Sequence, residues 1–288
     1  MPRRKKSTLT LGDLVNKISN TNIAQPLTTS PIIIGILIVA VFAAGYFYSR
    51  VQTLEGGNRQ TTTVAGTETA AQPTGTAKPK VSLAKVKEAF GKSVIKFGDT
   101  KSKLIVIEVA DPSCPYCHIA GGHNSELNSK SGSQFTLVSD GGTYIAPVVE
   151  FKKLLDEGKI AFSYIYYPGH ANGDMATKAL YCAYEQDKFW EAHDLLMNAQ
   201  GYDLINNTVK NDPAQSQPLV DFLAGAVDTT SLKTCIDSGK YDKQLKDDQA
   251  LATELQIQGT PGFYLNETIY PGAYNYTDME ATVKKAGI

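Results

Sequence analysis

The chain has 288 residues, 42% of them hydrophobic and 20% charged, with a formal net charge of -1. Those proportions fit one or two globular domains and exclude collagen-like, wholly disordered and polybasic nucleic-acid-binding chains. Four cysteines are too few for a disulfide-dense scaffold but enough for two pairs, so their spacing carries the information.

The near-neutral charge is a cancellation. Residues 1–80 hold nine Lys and Arg against three Asp and Glu (net +6), while residues 81–288 hold nineteen against twenty-six (net -7). The basic cluster Arg3, Arg4, Lys5 and Lys6 precedes an uncharged apolar run of 17 residues from Ile32 to Tyr48. As a helix this run spans roughly 25 Å, near the lower limit for a hydrocarbon core of about 30 Å, and Ser30 and Pro31 lengthen it without adding charge. Basic residues before the span place the N-terminus in the cytoplasm by the positive-inside rule, with Tyr46 and Tyr48 at the far interface. Ala43, Ala44 and Gly45 would also suit a cleaved signal peptide, but a polar lead of about 30 residues is long for one. The expected organisation is therefore a cytoplasmic basic N-terminus (1–30), a single transmembrane helix (31–49), a linker rich in Thr, Ala, Gly, Gln and Pro (50–80), and one folded extracytoplasmic domain (81–288).

Within that domain the pattern predicts a helix over Leu83 to Phe90, a short strand over Val94 to Phe97, and then Leu104 to Ala110. The last reads LIVIEVA, the near-continuous apolar run of a strand buried on both faces. Directly after it stand Asp111, Pro112, Ser113, Cys114, Pro115, Tyr116, Cys117 and His118, opening a helix. A thiolate, not a thiol, attacks a disulfide, and a free cysteine near pKa 8.5 is mostly protonated at neutral pH. A helix start supplies unpaired N–H groups and a positive dipole end that favour the anion at Cys114. Cys117, one turn on, can close a small ring to resolve a mixed disulfide, and Pro115 suits the first turn because its missing N–H has no helical partner to lose.

A zinc half-site is the competing chemistry. No second CxxC and no HxxxH pair accompanies the first motif, and Cys182, Cys235 and the four histidines are scattered singly, so no metal is expected.

CPYC after an apolar strand, AYEQDKFWEAHDLLM at 183–197, TCIDSGKY at 234–241 and QGTPGFYLN at 258–266 together resemble membrane-anchored DsbA-like thiol-disulfide oxidoreductases. The resemblance implies an α/β thioredoxin fold with an inserted helical domain at about 175–255, then strands at Phe263 to Leu265 and Thr268 to Tyr270. A final helix would start at Thr277, where Thr277 and Glu280 form a capping-box pattern. It implies Cys114 as nucleophile, Cys117 as resolving cysteine and Glu108 as a proton relay. A cis Thr260–Pro261 loop would bind extended substrate together with Pro115 and Tyr116. No diffusible cofactor is implied. The implied partners are unfolded or reduced exported proteins and a membrane redox partner for reoxidation; nucleic acid is not among them.

Asp111 reads as a loop-shaping residue, and His118 either as a cation beside the thiolate or as a simply exposed side chain. Outside the membrane, Cys182 and Cys235 are expected to form a second disulfide; in a reducing compartment they would be small buried hydrophobes. Two points stay open. CPYC and a threonine before the cis-proline also occur in reductases and isomerases, and a non-catalytic metallochaperone or holdase could use the same scaffold. Between Gly121 and about Ile145, where the resemblance leads one to expect an uninterrupted active-site helix, lies a polar stretch rich in Gly and Ser.

Overall fold

The structure, a computed structural model, describes residues 80–288. The expected basic N-terminus and transmembrane span, and all of the linker before Lys80, lie outside the described residues. Among the described residues, no helix is long and apolar enough to cross a membrane.

Helix α1 (Leu83–Lys92) starts where the Ser82 side chain accepts the Lys85 N–H, and it buries Val86, Ala89 and Phe90 at helical spacing. The short strand β1 (Ile95–Phe97) follows, then β2 (Leu104–Ala110), every residue of which is buried. Two helices, α2 (Pro115–Gly121) and α3 (Ser125–Lys130), and two 3₁₀ turns lead to α4 (Pro147–Asp156) and the fully buried strand β3 (Ile160–Tyr166). The chain then leaves the sheet for helices α5 (Asp174–Tyr184), α6 (Phe189–Leu196), α7 (Ala199–Asp203), α8 (Ser216–Phe222), α9 (Thr229–Asp237) and α10 (Asp242–Glu254), with a π-helical turn (Leu204–Val209) after α7. It returns with β4 (Gly262–Leu265), β5 (Thr268–Pro271) and α11 (Tyr276–Lys285).

The described strands make one five-stranded sheet in the order β1-β3-β2-β4-β5. β2 pairs in parallel with β3, Leu104 opposite Ile160 through Ala110 opposite Tyr166, and antiparallel with β4. Both neighbours are hydrogen-bonded, which is why the run is apolar on both faces. Alternation sorts it: Ile105, Ile107 and Val109 pack with α1 and with Leu251, Ala252 and Leu255 at the end of α10, whereas Leu104, Val106 and Ala110 share a cluster with Cys114, Cys117 and Phe151. Glu108 falls by the same parity on the second face, below the CPYC motif.

Two local expectations change. The final helix is capped two positions before Thr277: the Asn275 side chain accepts the Thr277 N–H at 3.3 Å, and Glu280 pairs with Lys284 rather than closing a capping box. The active-site helix does not continue past Gly121. Gly122 adopts φ +74°, and a Cβ there would lie 2.5 Å from the Ala146 Cβ, so glycine permits both the left-handed stop and the close approach of α4. The polar stretch after it is ordered, with Leu127, Phe135, Leu137 and Tyr144 packed on Ile119 and Ala146.

Candidate active site

Cys114 is the N-cap of α2 and Pro115 its first residue; the Cys114 carbonyl accepts the N–H of Cys117 (3.1 Å) and of His118 (3.2 Å). The cap position puts its sulfur at the positive end of the helix, one step ahead of the expected first turn. Cys117, one turn on, is fully buried, and its Sγ accepts the Asp111 N–H at 3.4 Å. The two are separate thiols in this structure. The Cys114 thiol donates to the Thr260 carbonyl oxygen at 3.4 Å, and the Thr260–Pro261 bond is cis. Tyr116 is 47% exposed beside the pair.

The electrostatics separate the two sulfurs. The Cys117 thiol, donating toward Cys114, leads in bringing the Cys114 pKa down to about 6, with Thr260 and the N–H groups of Cys117 and Tyr116 adding to it against the opposing cost of burial. Burial first, then the neighbouring Cys114 and Glu108, holds Cys117 well above the ordinary thiol range. One cysteine is poised as thiolate and leaving group, the other as a protonated thiol.

Glu108 is buried and neither carboxylate oxygen has a hydrogen-bond partner. Burial pushes its pKa up to about 8, so it carries a proton at neutral pH. Across the parallel ladder it stands opposite Tyr164, whose buried hydroxyl also lacks a partner. Glu108 acts electrostatically on Cys117, and Glu108 and Cys117 act in turn on Tyr164, whose pKa burial already raises.

Asp111 shapes the loop, as its position suggests. Its carboxylate accepts from the Ser113 N–H (2.7 Å) and hydroxyl (2.7 Å) and from the N–H groups of Gly169 (2.7 Å) and His170 (2.8 Å). His118 departs from expectation. It is fully buried, its two ring nitrogens face the carbonyl oxygens of Met197 (2.9 Å) and Pro112 (2.8 Å), and burial lowers its pKa to about 4. A neutral ring is no cation for the thiolate; it ties the active-site loop to the helical insertion instead.

Several contributors were invisible in the sequence. Asn206, beyond α7, donates to the Ser113 carbonyl, and the Asn172 N–H donates to the Ser113 hydroxyl, each at 3.3 Å. Phe135, in the polar stretch, lies against Tyr116 with ring centroids 5.9 Å apart. Gly169 and Gly173 let their loop approach: a Cβ would lie 2.0 Å from Thr260 Oγ1 at the first and 1.9 Å from Asp111 Oδ1 at the second. Cys182 on α5 and Cys235 on α9 are joined by a disulfide, with Cα atoms 5.9 Å apart. The pair lies in the insertion, apart from the CPYC thiols.

A family model described as thioredoxin matches residues 149–285, a span that begins after the CPYC motif. Disulfide bond formation protein D of Bacillus subtilis (strain 168) is 22% identical over 195 residues, covering 65% of this chain and 74% of that protein. The Na(+)/H(+) antiporter NhaA 3 of Salinispora tropica is 24% identical over 196 residues, which is 66% of this chain and 24% of the antiporter. Among solved structures, a cysteine-to-alanine variant of Wolbachia pipientis α-DsbA1 superposes with a TM-score of 0.52 at 17% identity, covering 72% of this chain and 96% of that chain. The fold is thioredoxin-like, with a helical insertion between β3 and β4.

Proposed function

We propose that this chain is a membrane-anchored, extracytoplasmic thiol-disulfide oxidoreductase that forms disulfides in exported proteins through Cys114 and Cys117. The observation that carries the reading is the Cys114 sulfur beside the Thr260 backbone, with its pKa held at about 6 while Cys117 stays protonated beneath it. In the oxidised enzyme, a substrate thiolate attacks Cys114 Sγ, a mixed disulfide forms, and the Cys117 sulfur leaves with the electron pair. Glu108, protonated at neutral pH, lies on the sheet face below this sulfur and can supply the proton it takes up. A second substrate thiolate then attacks the substrate sulfur of the mixed disulfide, and Cys114 departs as a thiolate. Two electrons pass from the substrate to the cysteine pair, and the substrate gains one disulfide.

The low pKa of Cys114 supports this direction, since a stabilised thiolate favours the reduced enzyme and hence oxidation of the substrate. Tyr116, Thr260 and Pro261 bound the surface where an extended chain would lie. Beside them a groove of about 440 Å³, lined by Ile257, Gly259, Ile269 and Pro271, continues from the cis-proline. The basic cluster before the apolar run supports anchoring with the N-terminus in the cytoplasm. Reoxidation then falls to a membrane redox partner.

The test is refolding of a reduced protein with several cysteines by stoichiometric oxidised enzyme. Recovery of substrate disulfides, lost in Cys114→Ser, is expected. An unchanged rate with Cys114→Ser would overturn the reading, and transfer of electrons only from enzyme to substrate would replace oxidation by reduction.

A further inference from the structure

The histidines stand singly in the sequence, but the fold brings two of them together. His123 follows the glycine that stops α2, and His193 and Asp194 lie in α6 of the insertion. His123 Nε2 is 3.1 Å from Asp194 Oδ1, and His193 Nδ1 is 3.0 Å from the same oxygen. All three donor atoms lie within 4.8 Å of one another.

We propose that His123, His193 and Asp194 form a binding site for a divalent transition metal, zinc by its donor chemistry, across the seam between the active-site helix and the helical insertion. A tetrahedral zinc bound at about 2.0–2.1 Å holds neighbouring donors about 3.3 Å apart, so the two His–Asp distances would open by a few tenths of an ångström while the two histidine nitrogens, within 4.8 Å of each other, settle to the same spacing. Two imidazoles and one carboxylate suit zinc, copper or nickel, whereas calcium and magnesium take oxygen ligands. The fourth position is left to water.

The surroundings place one ligand in the interior and two at the surface. His193 is fully buried, with its ring held against Phe189 and Trp190 at centroid distances of 5.5 Å. Its Nε2 has no partner, so its polar interactions are spent on this cluster alone. The side chains of His123 and Asp194 are 32% and 45% exposed, which leaves an ion a path from solvent. Gly121 packs on Met197, and the Met197 carbonyl faces His118, so the seam is already one where the catalytic helix meets the insertion. A metal bound there would clamp the two together without touching Cys114 or Cys117.

The experiment uses the full chain in detergent with both active-site cysteines replaced by serine, so that thiolates cannot bind the ion. Cobalt titration is expected to give one tetrahedral cobalt per chain, read from its visible absorption and displaced by zinc. H123A and D194N, at exposed side chains, should each weaken binding about 10-fold or more. Zinc should raise the melting temperature of the parent by more than that of either variant, each compared with its own metal-free melt. The absence of saturable binding, or binding that neither variant weakens, reduces the cluster to a His–Asp–His hydrogen-bond bridge and overturns the proposal.

Discussion

The Cys114 thiol donates to the Thr260 carbonyl oxygen across 3.4 Å, joining the start of the active-site helix to a residue 146 positions later in the chain. On the proposed function, a substrate strand that pairs its backbone with Thr260 would bring its own sulfur to the same place. The pKa of about 6 can be read directly: thiolate absorbance should titrate with a midpoint near pH 6 in the wild type and vanish in Cys114→Ser. The folded-state pKa is depressed, so the thiolate's contribution to the stability of the reduced protein is complete above about pH 8.5 and is lost as the pH falls through 6. Melting temperatures of reduced protein, referenced to the oxidised form, should therefore fall between pH 8.5 and 6. A pKa below that of thioredoxin leads us to expect a reduction potential less negative than about -270 mV, which equilibration with glutathione would measure.

Glu108 works with the opposite sign. Burial raises its pKa to about 8, so across pH 4.5 to 8 the unfolded chain releases a proton that the folded one keeps, and stability drops as the pH rises. Glu108→Gln removes that cost. Denaturant melts should show the variant about 3 kcal/mol more stable at pH 7 and equal to the wild type near pH 4. Its exchange rate should fall at the same time, because no carboxyl remains to exchange protons with Cys117. Equal stability at pH 7 would mean that the carboxylate finds solvent the structure does not show.

The sheet and the placing of Cys114 and Cys117 at a helix start were legible because both are local signals. LIVIEVA is apolar at every position but one because β2 is central, and CPYC carries its chemistry in four consecutive residues. The Asn275 cap was missed because Thr277 and Glu280 offer an equally good local pattern, and the choice is made by Ile145, whose N–H donates to Asn275 Oδ1. His118 was misread for a similar reason: nothing near it in sequence announces that the Met197 carbonyl will face its ring. Phe135, Asn206 and Gly169 reach the site from segments distant in the chain, where only the fold supplies the neighbour.

Gly169 offers a test of that close packing. An alanine Cβ there would lie 2.0 Å from Thr260 Oγ1 and 3.3 Å from its Cβ, so Thr260 must move from its place beside Cys114. Gly169→Ala should cost about 1–3 kcal/mol and shift the Cys114 titration. Thr260→Ala removes the clash, together with the hydroxyl that helps to lower the Cys114 pKa. The double variant should recover most of the stability in a denaturant-melt cycle. Simple additivity would show that the two sites do not meet.

The Cys182–Cys235 disulfide links positions 53 apart, and on the chain-entropy estimate it contributes about 4 kcal/mol. Replacing both by alanine should lower stability by that order while leaving the thiolate titration of Cys114 in place, because the bridge joins α5 and α9 of the insertion. Intact mass after alkylation without reductant should find no free thiol at either position. Loss of the Cys114 titration in the double variant would instead tie the bridge to the site.

Phe135 lies between Tyr116 and Tyr144, with ring centroids 5.9 Å and 5.6 Å away. Tyr144 is in turn fixed through its hydroxyl, which faces the carbonyls of Ala273 and Tyr274, so the polar stretch holds Tyr116 from one side. An aromatic pair of this kind contributes about 0.5–1.5 kcal/mol beyond its buried area. If Tyr116 meets the substrate in the orientation that Phe135 sets, Phe135→Ala should raise KM for a reduced protein substrate about 2- to 10-fold, with kcat and the Cys114 titration unchanged. A fall in kcat at constant KM would show that Phe135 acts on the sulfurs rather than on the surface beside them.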